Sequence, residues 1–111
     1  MLKIKGTDIF LTRGDTARIT ITVSKDGQPY DCSADTVRFS VKRDPQSADY
    51  LIRKTASVDG IIYIAPADTD GLAYGNYVYD VELTTSGGDV CTVVPPSKFI
   101  IGPEVTWAQG I

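Results

Sequence analysis

The strongest constraint on this chain is the period of its apolar residues, which is two rather than 3.6. Ala17, Ile19, Ile21 and Val23 alternate with Arg18, Thr20 and Thr22. Val37, Phe39 and Val41 alternate with Arg38, Ser40 and Lys42, and Tyr77, Tyr79, Val81 and Leu83 with Val78, Asp80 and Glu82. Successive side chains of a strand point to opposite faces, so each stretch predicts one buried and one wet face. The apolar positions are rich in β-branched and aromatic residues, which suit a pleated sheet. No stretch carries a comparable helical stripe. The acids agree: of 14 acidic residues only Glu82 and Glu104 are glutamate, and aspartate favours turns over helices.

Weaker strands fill the gaps. Residues 8–11 are expected to open the sheet, and residues 51–55 and 60–64 to flank a turn at Val58-Asp59-Gly60. Residues 90–94 read as the return strand of a hairpin across Ser86-Gly87-Gly88-Asp89, and residues 98–101 as its continuation. Pro95-Pro96 between them cannot donate ladder hydrogen bonds, which places them at an edge, a bulge or a crossover. Residues 66–72 open with Pro66, carry early acids and reach Gly71, the signature of a single helical turn. With 111 residues there is room for one domain. The expected fold is all-β: an immunoglobulin-like β-sandwich of about seven to eight antiparallel strands with one short helical turn. Its core spans about 9–101, and 102–111 forms an extended arm.

Composition excludes several functions. The chain has no histidine, which removes Ser-His-Asp and Cys-His catalysis and histidine-ligated zinc. A net charge of -3 argues against a phosphate-backbone binder, so no nucleic-acid partner is expected. The longest apolar run, Ile61-Ile62-Tyr63-Ile64-Ala65, is far short of the roughly 20 residues of a membrane span. Gly6-Thr7-Asp8 breaks the start of the chain before a signal peptide could form, so synthesis without export is expected. Cys32 and Cys91 lack C-x-x-C spacing; they are either a disulfide pair or two free, semi-buried thiols.

Several candidate sites have plain structural readings beside them. Tyr77, two residues after Gly75, stands at the start of a central strand, where a tyrosine hydroxyl can bond back to the preceding loop. Arg13-Gly14-Asp15 spells an adhesion tripeptide but reads better as a turn feeding the next strand. Asp68-Thr69-Asp70-Gly71 lacks the further acids and terminal glutamate of a calcium loop. Asp80 and Glu82 lie two apart on one strand, which does not make the opposed pair of a glycosidase. Arg38 and Lys42 share the outward face of a strand with Arg43 just beyond, and Arg53 and Lys54 are expected nearby. These cations form either a docking face for an acidic partner or a solvated sheet face. Trp107, the only tryptophan, is expected to dock on its own domain or on a neighbouring chain. No catalytic residue, metal or cofactor is expected.

Four segments together carry a resemblance. They are Leu11-Thr12-Arg13-Gly14-Asp15-Thr16, then Asp26-Gly27-x-Pro29-Tyr30-Asp31 with Ala34-Asp35-Thr36-Val37-Arg38-Phe39-Ser40-Val41-Lys42-Arg43, and finally Ala65-Pro66-Ala67-Asp68-Thr69-x-Gly71-Leu72-x-x-Gly75-x-Tyr77-x-Tyr79-Asp80-Val81-Glu82-Leu83. This pattern resembles the small immunoglobulin-like domains encoded in phage and prophage tail regions. It is similar to the N-terminal domain of phage upper baseplate proteins. The resemblance covers about residues 9–101 and rests on turns and core, so it transfers no functional residue. It implies a virion component made in the bacterial host cytoplasm, structural and without enzymatic activity, whose partners are other tail proteins or copies of itself in a homo-oligomer. No receptor-binding or coiled region follows the domain within these residues, so a direct host-receptor role is not expected. Contacts are expected through sheet edges and two arms, residues 1–7 and 102–111. The alternative is a carbohydrate- or ligand-binding module whose platform would be drawn from Tyr30, Tyr50, Tyr63 and Tyr74.

Overall fold

In the computed structural model, which describes residues 2–103, the alternating stretches become strands whose apolar sides meet in one core. The chain runs through β1 (Leu2–Lys5), β2 (Asp8–Thr12), β3 (Ala17–Thr20), β4 (Ser24–Lys25), β5 (Gln28–Pro29), β6 (Thr36–Lys42), β7 (Ile52–Thr55) and β8 (Ile61–Ile64). It continues through α1 (Pro66–Asp70), β9 (Gly75–Thr84) and β10 (Val90–Gly102). Among the described residues the protein is all-β apart from this one helical turn. Six strands form a sheet in the order β1-β2-β10-β9-β6-β7, while β3–β8 and β4–β5 are separate two-stranded ribbons. Ala17, Ile19, Ile62 and Ile64 of the β3–β8 ribbon belong to the same buried cluster as the inward residues of the large sheet.

Strand direction departs from the expectation. The large sheet is mixed, because β10 runs parallel to β2 with Phe99 beside Ile9 and Ile101 beside Leu11. A period of two reports which side of a strand is buried, and carries no information on the direction of its neighbour. The start of the chain is a second correction. Leu2–Lys5, expected within an arm, pairs antiparallel with β2 across a turn in which Gly6 has φ 62°. Leu2 and Ile4 do alternate with Lys3 and Lys5, but over only four residues, a run too short to separate a strand from an extended arm.

The stretch 17–23 ends as a strand at Thr20. Ile21 N–H still donates to the Gly60 carbonyl at 2.8 Å, and the chain then folds into the β4–β5 hairpin. Asp26 and Gly27 at its tip have φ 53° and 79°, the pair of positive values that a two-residue type I′ turn requires. Residues 90–94 and 98–101 are one strand of 13 residues with register slips on both sides of Val94. Pro95 and Pro96 sit in the second slip. Because β2 pairs only with residues 99–102, the prolines lie where the other side of β10 has no neighbour, and no ladder bond is lost.

At the centre, the rings of Phe39, Tyr79 and Phe99 meet with centroids 5.1, 6.0 and 6.4 Å apart, tilted or edge-on. The Tyr79 hydroxyl donates to the Thr7 carbonyl, pinning the β1–β2 turn to the middle of the sheet. Burial, and then the nearby Asp8 charge, raise the Tyr79 pKa above its ordinary value of 10.0. A raised tyrosine pKa contributes stability that is complete below pH 10 and lost as pH climbs toward the folded value.

Two predictions follow from this packing. A Cβ at Gly60 would sit 2.8 Å from the Ile21 carbonyl oxygen at φ 80°, whereas one at Gly71 meets nothing within 4 Å. Gly60→Ala should therefore lower stability by more than about 1 kcal/mol in urea unfolding, with Gly71→Ala close to neutral. Tyr79→Phe should cost about 1 kcal/mol at neutral pH and flatten the loss of stability above pH 10, read from thermal melts across alkaline pH.

Candidate interaction surface

The polar side of the large sheet is built from alternate residues of its strands. Alternation along β6, β7 and β9 leaves Arg38, Ser40, Lys42, Arg53, Val78, Asp80 and Glu82 on this side. With Pro45, Tyr50 and Pro96 they line a shallow depression of about 260 Å³. Tyr50 arrives from the β6–β7 connection. That connection is shaped by Asp44, whose Oδ1 accepts the Gln46 N–H at 2.8 Å, and by Leu51 N–H donating to the Val41 carbonyl at 2.8 Å. The Lys42 ammonium lies 4.7 Å and the Arg53 guanidinium 4.4 Å from the Tyr50 ring centroid. Both are cation–π contacts that hold long side chains in place. Glu82 stands beside Arg38 in the ladder and Asp80 beside Ser40. The surface therefore mixes charges of both signs.

The structure brings Arg38 and Lys42 together with Arg53. Arg43 does not join them: it is exposed past the end of β6, with its guanidinium 5.7 Å from the Tyr77 ring. Lys54 points to the opposite side of β7 and forms an ion pair with Asp68 at 2.9 Å. The strand period separates these neighbours, so Arg53 and Lys54 cannot share a face. Trp107 lies outside the described residues. Asp80 and Glu82 belong to the surface on the same alternation that placed Arg38 and Lys42. Tyr50 could not be placed from sequence, since it sits in a loop with no periodic signal.

The Arg13-Gly14-Asp15 turn is bound into the fold. Arg13 donates through Nη1 to the Leu72 carbonyl at 3.2 Å and through Nη2 to the Tyr74 hydroxyl at 3.1 Å. Its guanidinium also stands 4.3 Å from the Tyr74 ring centroid. The Gly14 N–H donates to Thr69 Oγ1 at 2.8 Å, and Thr69 is fully buried. Thr69 is placed by α1, whose first turn is closed by Asp68 Oδ2 accepting the Ala65 N–H at 2.7 Å. Asp68 is thus engaged by a backbone amide and by Lys54. Among the described residues no group of three or more His, Cys, Asp or Glu side chains could hold a metal ion. Gly75 opens β9 at φ 139°, a conformation that favours glycine, and the Tyr77 hydroxyl donates to the Ala73 carbonyl at 2.7 Å.

The tyrosines weighed as a ligand platform are dispersed. The Tyr30 hydroxyl donates to Asp35 Oδ2 at 2.6 Å, a bond that raises its pKa. Tyr50 is on the polar side of the large sheet, Tyr63 on β8 has the Arg18 guanidinium 5.1 Å from its ring, and Tyr74 has Arg13. A stacking platform needs adjacent bare rings, and three of these four carry a cation over the ring. Cys32 is half-buried, Cys91 is exposed, and both thiols are free.

Comparison of the chain with protein-family models and with curated proteins finds no match.

Because the Gly14 amide has a buried side-chain acceptor, Thr69→Val should lower stability by about 1–3 kcal/mol, with Thr69→Ser recovering most of it. Urea midpoints of the three proteins check this.

Proposed function

We propose that the protein is a non-enzymatic structural component of a phage or prophage virion, assembling into a tail, baseplate or fibre attachment through protein–protein contacts. In this reading the six-stranded sheet and the β3–β8 ribbon are the two layers of an immunoglobulin-like sandwich around one core. The observation that carries it is how the framework residues are used. Arg13, Gly14, Asp68, Thr69, Leu72 and Tyr77, which carry the resemblance to tail-region domains, are joined by hydrogen bonds that build the fold. What they leave for function is a mixed-charge sheet face and the free margins of the sheet, where β1 and β7 are the outermost strands. Such surfaces act by association. The partners are other tail proteins or further copies of this chain, and the protein is made in the bacterial cytoplasm and carried in the particle. Mass spectrometry of density-purified particles from the encoding strain is expected to find the chain in fixed ratio to tail components. Its confinement to the soluble cell fraction would overturn the reading.

A further inference from the structure

The two margins of the large sheet differ in what they offer. On β7 the apolar residue, Ile52, is buried, and Arg53 and Lys54 are engaged with Tyr50 and Asp68. On β1, Leu2 and Ile4 face the core side and Lys3 and Lys5 the other, yet Ile4 remains 48% exposed. A strand margin presents unpaired N–H and C=O groups. Beside β1 these groups lie next to an uncovered apolar side chain and two lysines. Two β1 strands paired with each other would set lysine against lysine, which is unfavourable. The margin therefore selects an extended segment with apolar residues on one side and an acid on the other.

The chain contains such a segment. Glu104-Val105-Thr106-Trp107 alternates with the same period as Leu2-Lys3-Ile4-Lys5. Laid along β1, Val105 and Trp107 fall on the side of Leu2 and Ile4, and Glu104 and Thr106 on the side of Lys3 and Lys5. The segment cannot do this within its own copy. A strand outside β1 lies three spacings from β10, or about 14 Å. Gly102 is level with Thr12, whereas Ile4 is level with Ile9, about 10 Å further along. Residue 105 is only three residues past Gly102 and can reach about 11 Å at most.

We infer that β1 accepts residues 104–107 of a second copy as an added strand, joining copies head to tail. A contact of this kind is heterologous, and closes into a ring or grows as a filament according to the rotation between copies. The inference rests on the assembly reading above and names the surface and its occupant. Trp107 is the only tryptophan, so its fluorescence reports the contact directly.

The test is sedimentation velocity with tryptophan fluorescence on the full chain, from micromolar to millimolar concentration. Association should grow with concentration while the emission shifts to the blue. Deleting residues 104–111, which removes none of the described residues, should abolish association while the thermal melt of the truncated chain shows a folded protein. Lys3→Glu with Lys5→Glu should weaken it at least about tenfold, and adding Glu104→Lys should restore it. A full chain that stays monomeric, or a deletion that associates as well as the full chain, would overturn the inference. A monomeric chain still found in purified particles refutes this contact and spares the assembly reading. An associating chain missing from particles does the reverse.

Discussion

Burial of one side of β9 is the constraint on which the other elements depend. Tyr77, Tyr79, Val81 and Leu83 are all buried, and β9 is paired with β6 from Val78 to Thr84 on one side and with β10 from Gly75 to Thr84 on the other. Each large aromatic removes on the order of 150–250 Å² from water. Phe39 from β6 and Phe99 from β10 close on Tyr79, so the three strands are registered by ring packing as well as by the ladder. Once that layer is set, β3 and β8 can bury Ile19, Ile62 and Ile64 only against it.

Burying two tyrosines obliges the fold to find partners for their hydroxyls, and those partners couple remote parts of the chain. Tyr77 bonds to Ala73 and fixes the approach to β9; Tyr79 bonds to Thr7 and fixes the β1–β2 turn. Ser97 and Lys98 of β10 add bonds to Thr7 Oγ1 at 2.9 Å and Asp8 Oδ1 at 3.2 Å. The margin formed by β1 is therefore held by the core, although β1 itself is four residues long and mostly exposed. At the other end of β2, Arg13, Gly14 and Thr69 tie the β2–β3 turn to α1 in the same way. The polar side chains most distinctive in the sequence are used in these ties. The surfaces left for partners are therefore the sheet face and its margins.

Much of this was readable beforehand. The strands β3, β6 and β9, the hairpin at residues 85–89 and the turn at Pro66 each have a local cause: period two, a Gly-rich reversal, or proline at a helix start. Part of the candidate surface was readable for the same reason, since the alternation that buries Phe39 and Val41 must expose Arg38 and Lys42. Alternation applied consistently also separates Arg53 from Lys54. Tyr50 and Arg43 were not readable. Both lie beyond strand ends, where the path of a loop is decided by what it packs against.

The sequence by itself determined which residues are inside, because side-chain alternation is a property of the extended backbone and needs no partner. It also determined where the chain reverses, because Asp26-Gly27, Gly60 and Gly88 adopt positive φ that few residues tolerate. Only the tertiary structure decided that β10 runs parallel to β2, that Leu2–Lys5 is a strand, and that four tyrosines lie apart under separate partners. Those outcomes depend on contacts between residues distant in sequence, as between Thr7 and Tyr79 or Gly14 and Thr69. Such a contact is set by the packed core, whereas the local pattern at either end is the same whichever partner it meets.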